Sequence, residues 1–332
     1  MADLRRFIAR RFLTFVPTII GVTLLVYIIA AVIPANPARL WAGGQKASPE
    51  VVERLIREYH LNDPWYIQYY YFMKNLFFGN PVSPVTHNNV WSEITDRFLT
   101  VTLPLTLLAF VLIVVIGVPL GVLAAIKRDT AVDMVIRGLA LVGLSTPIFW
   151  LAYLMIFVLY PHGLVTLAGM PTPSYRITGV PLVDALLKLD PHYLGLMLKR
   201  LWLPAFMLAY PGIGVITRLV RNSFLDAYSR DYVDFMEARG FPRRRVYLHV
   251  LRNSLSPIVT VLGLQFGGLL AGAPITETIF GLPGLGLYML QAIENFDYMS
   301  LTASVLLVAF IYTSVNLVVD VLYAVIDPRV RY

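Results

Sequence analysis

The sequence has no cysteine and very little charge: only 14% of its 332 residues are Asp, Glu, Lys or Arg. The first absence excludes disulfides, thiolate metal sites and thiol nucleophiles. The second excludes a soluble enzyme. Soluble domains carry about 25% charged residues to clothe a water-facing surface, and this chain is instead 58% hydrophobic with a mean hydropathy of +0.69. Residues 98–126 hold no Asp, Glu, Lys, Arg or His at all, whereas a helix needs only ~20 apolar residues to cross the hydrocarbon core. The composition is that of an all-α, multi-pass membrane protein.

Six stretches have the length and apolarity of spans: 12–33, 98–126, 138–160, 201–217, 254–276 and 298–319. The fourth is short and interrupted by Pro204, Pro211, Gly212 and Gly214. The first exceeds the roughly 7–15 apolar residues of a signal-peptide core and lacks a small-x-small cleavage site, so it reads as an uncleaved span. With both termini in the cytoplasm, the inner segments 1–11, 127–137, 218–253 and 327–332 carry 17 Lys/Arg in 64 residues, and the outer segments 10 in 121. That asymmetry follows the positive-inside rule, and the short outer loop 281–297, which lacks Lys and Arg, is its best witness.

Three parts follow: 1–33, a cytoplasmic N-terminus and first span; 34–97, an extracytoplasmic segment with amphipathic helices; and 98–332, a core of five spans with a cytoplasmic loop at 218–253. In the outer segment, Ser48, Pro49 and Glu50 form a helix start, with Ser48 as capping hydroxyl. A second helix is expected from Pro64 to Gly79, and its aromatic density suits the headgroup level. In the loop 218–253, Ser229 is expected to cap a helix with Asp231 in its first turn and Gly240 as its stop. Tyr232, Val233 and Met236 share one apolar face there. Such a face marks a partner surface, or folds back on its own spans.

Catalytic signatures are missing too. The chain has no Gly-x-x-x-x-Gly-Lys-Ser/Thr phosphate loop, no His-Glu-x-x-His pair and no Gly-x-Ser-x-Gly elbow. Its five histidines are scattered, so no catalytic set, metal site or cofactor is expected. The run Arg243, Arg244 and Arg245 reads as membrane-flanking charge and not as a nucleic-acid patch. Glu277 and Asp320, near the ends of the last two spans, are the acids whose position suggests a role.

Asp231, Tyr232, Val233, Ala238, Arg239, Gly240, Val246, His249, Arg252, Asn253 and Pro257 together resemble the EAA loop of ABC-importer permeases, in the dipeptide/oligopeptide/nickel group. Glu277 to Phe280, Pro283 to Gly286, and Asn316, Asp320, Tyr323, Asp327 and Pro328 fit the same group, as do Arg10, Arg11, Pro34, Gly121, Thr146, Pro147 and Trp150. Met236 and Leu287 depart from its usual small and basic residues. The resemblance spans essentially the whole chain. It implies a type I ABC-importer permease fold of six transmembrane helices with a cytoplasmic coupling helix, in the cell membrane.

The resemblance further implies a second, homologous permease (a heterodimer), two cytoplasmic ATP-binding subunits and an extracytoplasmic solute-binding protein as partners. ATP hydrolysis then belongs to another chain. Tyr232, Val233, Ala238, Gly240, His249, Arg252 and Asn253 become coupling-loop positions, with Tyr232 and Val233 as contacts. Di- or oligopeptides are the expected cargo, with oligosaccharides or nickel as alternatives. For the pathway, Gln265 and Phe266 are expected to face the interior, with Glu277 and Asn316 nearer the outer mouth; Gln265 bonding only a neighbouring helix is the alternative. An ion-coupled secondary transporter using Glu277 or Asp320 is the competing class, but the chain shows no internal repeat and no paired midplane acids.

Overall fold

A computed structural model describes residues 17, 19–28, 37–42, 47–167, 169–172, 174–175 and 177–326, the last eight by backbone alone. We number its main helices α1 Ile19–Ile28, α2 Pro49–Glu58, α3 Trp65–Phe78, α4 Val90–Ile126, α5 Ala131–Ser145 and α6 Ile148–His162. There follow α7 Pro181–Lys188, α8 Pro191–Tyr228, α9 Asp231–Ala238, α10 Arg243–Asn253, α11 Leu255–Leu270, α12 Pro274–Ile279, α13 Leu285–Glu294 and α14 Tyr298–Ile326.

The chain is an all-α membrane protein. Among the described residues, α4, α8 and α14 are each long and apolar enough to cross a bilayer, and the bent pairs α5–α6 and α10–α11 raise the number to five. Of the expected first span, residue 17 and the ten residues of α1 are helical, and the rest of 12–33 lies outside the described residues.

Two expected spans are differently built. The stretch 138–160 is not one helix: α5 and α6 meet at 106°, because Pro147 drives the preceding residue into an extended conformation (Thr146 φ −86°, ψ 128°). The stretch 201–217 is not short or broken. It is the middle of the 38-residue α8, which carries Pro204 and Pro211 inside it. Its glycines serve packing: a Cβ on Gly212 would meet Ile113 at 2.5 Å, and one on Gly214 would meet the Ala140 carbonyl at 2.6 Å. Neighbouring helices held that closely keep the proline-interrupted turns in register.

α8 is therefore the axis of the core. Its buried side, including Leu203, Met207, Ile213, Ile216 and Val220, packs against Val101, Leu105, Ala109 and Ile113 of α4. Gly117 and Gly121 bring α4 close, since a Cβ on Gly121 would fall 2.6 Å from that of Val220. A second cluster joins Leu76, Ile94, Leu270, Leu285, Met299 and Leu306, seating α3 and α4 on α13 and α14. The fifth expected span ends early: Gly272, at φ +105°, turns the chain out of α11, and Pro274 starts α12.

The two helices expected within 34–97 are present, with one correction. Ser48 precedes α2, but its side chain makes no capping bond; Pro49 at the first helical position sets the start. α3 runs between Pro64 and Gly79. Leu76 is buried while Tyr66, Tyr70 and Phe77 are exposed, so α3 has one face on the protein and an aromatic face outward.

Candidate functional site

At its C-terminal end α8 closes at Ser229, whose hydroxyl donates to the Asp226 carbonyl (3.0 Å). Ser229 thus belongs to the end of α8, and the residue before α9 is the extended Arg230, which makes no side-chain cap. Asp231 and Asp234 in the first turn complement the positive end of the α9 dipole. The exit is a Schellman arrangement. Gly240, at φ +74°, donates to the Glu237 carbonyl (2.9 Å) and Phe241 donates to the Met236 carbonyl (3.1 Å). A residue with a Cβ resists that left-handed conformation.

The apolar face of α9 folds onto its own chain. Val233 is 1% exposed and joins Ala125, Phe224, Ala227, Val246 and Val250 in one cluster, with Tyr232 and Met236 packed against it. Burial removes Val233 from any docking surface: the expected contact residue is an anchor that fixes α9 against α4, α8 and α10. The Tyr232 hydroxyl is buried without a hydrogen-bond partner. Tyr228 at the end of α8 donates to Glu237 of α9 (2.8 Å), a second tie between the two helices.

What α9 presents outward is Phe235, 56% exposed, with the Arg239 guanidinium 4.2 Å over its ring. Ala238 and Gly240 are exposed too, and on α10 His249, Arg252 and Asn253 share an exposed face with Leu248. The structure thus gathers six of the seven coupling-loop candidates around α9 and α10, with Val233 beneath them.

The four pathway candidates are not brought together. Phe266 is half-buried with its ring 4.8 Å from that of Phe110. Gln265 is half-buried and faces α8 near Gly212, where its Oε1 would lie 3.7 Å from an added Cβ. Asn316 lies beside Gly267, its Oδ1 buried without a partner. It stands eighteen residues into α14, about 27 Å from that helix's start.

Glu277 is buried and structural in its contacts. It accepts from Thr102 Oγ1 (2.8 Å) and from the Leu287 N–H (2.8 Å), while Thr102 Oγ1 in turn accepts from the Leu285 N–H (2.9 Å). The carboxylate sits at the N-terminus of α13, and Gly284 gives it room: a Cβ there would fall 2.4 Å from Glu277 Cδ.

Two charged groups escaped sequence reasoning. Arg200, 2% exposed, donates to the carbonyls of Thr166 (2.8 Å) and Phe280 (2.7 Å), joining two loops to α8. Asp133 of α5 accepts from Arg221 of α8 through Nε and Nη2, both at 2.8 Å. In sequence these arginines count only as flanking positives; their partners are 34 to 88 residues away. Among the described residues no group of three or more His, Asp or Glu is placed to hold a metal ion.

Residues 117–332 match the family described as binding-protein-dependent transport system inner membrane component, and residues 4–106 match the N-terminal family of the same transport-system membrane components. The dipeptide transport system permease protein DppB of Escherichia coli (strain K12) is 38% identical over 337 residues, covering 98% of this chain and 99% of that protein. The probable D,D-dipeptide transport system permease protein DdpB of the same strain is 37% identical, covering 93% of each chain. The di/tripeptide transport system permease protein DppB of Pseudomonas aeruginosa (strain UCBPP-PA14) is 37% identical, covering 98% of each.

Proposed function

The chain belongs to the family of binding-protein-dependent transport system inner membrane components and is a permease subunit of an ABC importer, and from that premise we propose that its cargo is short peptides and that α9 is its coupling helix. The names of the relatives, dipeptide and di/tripeptide permeases aligned over nearly the full chain, support the cargo. The remaining parts follow from the division of labour. Two ATP-binding subunits dock from the cytoplasm, a second homologous permease completes the passage, and a solute-binding protein delivers peptide from outside. Six spans, with 12–33 as the first and α5–α6 as one bent span, put both termini in the cytoplasm and 34–97 outside.

The observation that carries the coupling assignment is the join between α8 and α9. A 38-residue helix ends in a two-residue turn and hands directly to a short helix that is anchored inward by Val233 and exposes Phe235 outward. In this reading ATP-driven closure of the ATPase pair moves α9, and α8 carries the displacement into the core, switching the passage between inward- and outward-facing states. Phe235, Ala238, His249, Arg252 and Asn253 form the docking surface; Tyr232 and Val233 hold it, and Gly240 shapes its exit. Gln265 and Phe266 are the nearest candidates for cargo contact, and Glu277 acts through the loop it pins.

Phe235→Ala in the assembled importer tests this. An exposed aromatic seated in a partner groove is worth about 2 kcal/mol or more, so ATPase subunit binding should weaken roughly thirtyfold with the melting midpoint of the chain unchanged. Wild-type ATPase recovery and wild-type peptide uptake in that variant would refute the docking assignment. Competition of labelled dipeptide uptake by peptides, but not by sugars or Ni2+, tests the cargo.

A further inference from the structure

The three segments expected on the outer side, 34–97, 161–200 and 281–297, meet around one cavity of about 390 Å³. Its polar wall is the start of α4, with Glu93, Asp96, Arg97 and Thr100; facing them are Met170, Pro171, Pro181 and Pro283. Ligand sites enclose roughly 300–1,000 Å³ and set a few convergent polar groups against an apolar lining.

The walls of this cavity are fixed. Tyr193 of α8 donates to the Pro171 carbonyl (2.9 Å). Arg200 holds the same loop at Thr166 and the facing turn at Phe280. The Leu285 N–H donates to Thr102 of α4 (2.9 Å) and so holds the turn that carries Pro283. Tyr193, Arg200 and Thr102 are all buried, so the walls are set before any ligand arrives.

Arg97 is the group that this scaffold presents. Its Nε and Nη2 donate to one oxygen of Glu93, at 3.3 and 2.8 Å, and its guanidinium lies 4.5 Å over the Tyr288 ring. The other Glu93 oxygen accepts from Thr86 Oγ1 (2.7 Å) and Tyr288 Oη (3.1 Å), which makes Glu93 an anchor with both oxygens engaged. Arg97 keeps donors to spare. Its Nη1 donates to no described residue, and its side chain is 24% exposed. A guanidinium anchored in this way is suited to take a carboxylate through charge-assisted hydrogen bonds. Asp96 and Glu93 on the same wall oppose a simple anion but not a zwitterion.

We propose that this cavity receives the carboxylate end of a short zwitterionic peptide on Arg97, with the apolar side chains of the peptide against Met170 and the three prolines. The inference rests on the reading of the cargo as short peptides. It adds a cargo station at the outer ends of the helices, apart from Gln265 and Phe266 in α11.

Thr172, an exposed residue of the cavity lining, gives the test in this cysteine-free chain. In the complete membrane complex, Thr172→Cys is reacted with a maleimide in the presence and absence of alanyl-alanine. The dipeptide should slow labelling, and its C-terminal amide should not. Arg97→Gln should raise the concentration needed for protection about tenfold or more, and Arg97→Lys, which keeps the charge, should recover part of that loss. Labelling unchanged by the dipeptide, equal protection by the amide, or undiminished protection in Arg97→Gln overturns the proposal. Uptake of labelled dipeptide by the Thr172→Cys importer separates the two readings. If uptake persists without protection, the cavity assignment alone fails; if no peptide is carried, the cargo reading fails with it.

Discussion

Replacing Asp133 by Asn tests the tie between α5 and α8. The Asp133 carboxylate is fully buried and accepts from Arg221 at 2.8 Å twice and from the Asp129 N–H at 3.2 Å, and it forms an ion pair with Arg137, whose Nε is 3.2 Å away. Asn keeps the shape but has one acceptor oxygen, so one arm of the Arg221 fork faces an NH2 group. Breaking a sealed ion pair costs about 3–5 kcal/mol. Here the Arg137 side chain is 48% exposed and admits water, which brings the expected loss to about 2 kcal/mol. That corresponds to a melting midpoint roughly 3–5 °C lower by intrinsic fluorescence. Paired replacement with Asp133→Leu and Arg221→Met removes both charges together and should recover at least half of the loss. A midpoint for Asp133→Asn within about 1 °C of the parent, or a double variant no better than the single, would refute the claim that this pair joins the two helices.

Gly121→Leu should abolish the folded, monodisperse species in gel filtration, because even its Cβ would lie 2.7 Å from the Thr217 carbonyl; Gly138→Ala, with nothing within 4 Å, should elute as the parent does. Glu277→Gln turns an acceptor on the Leu287 N–H into a potential donor, so cleavage by added protease in 280–286 should rise severalfold; an unchanged digestion pattern would count against the clasp. Outside the spans, burial pushes the Asp184 carboxyl up but bonds from Thr178 Oγ1 and the N–H groups of Thr178 and Ile177 outweigh it, leaving it below its ordinary value. A depressed carboxylate contributes stability above its unfolded value of about 3.9 and loses it as pH falls through the lower folded value. Amide exchange at 177–184, corrected for intrinsic rates, should therefore accelerate only below about pH 4, and protection unchanged there would refute it.

Much of this architecture is written locally. Pro64 precedes α3 and Gly240 ends α9, because prolines and left-handed glycines act on the backbone within a turn of their position. Features that depend on neighbours were not legible. Pro204 and Pro211 read as breaks, yet α8 continues through them because α4 and α5 close on Gly212 and Gly214. Periodicity put Tyr232, Val233 and Met236 on one face of α9, but only the fold shows that this face meets Phe224 and Val250, leaving Phe235 to the outside. The Pro147 bend fits its sequence afterwards, although the charge-free run around it reads equally well as a straight span. Arg200 is the plainest failure: a buried guanidinium serving backbone carbonyls leaves no sequence signal, since its partners carry no characteristic side chain.

These contacts bear on how one helix can serve both ends of a transporter. Proline removes the bond its N–H would make to the carbonyl four residues earlier, so Pro204 and Pro211 leave the carbonyls of Arg200 and Met207 without that partner. α8 is thereby softened at two places, one turn beyond Arg200 and at its glycine-packed centre, while the part from Gly214 to Tyr228 is free of proline. The stiff part carries the Asp133 pair and the Tyr228–Glu237 bond to α9, and the softened part carries Arg200, which holds the loops at Thr166 and Phe280. A displacement entering at α9 would, in the proposed mechanism, pass along the proline-free part as far as Gly214 and be redirected at the two prolines. In the proposed mechanism the two prolines would set where the inward- and outward-facing states diverge, and the coupling end would move as one body with α5 in both.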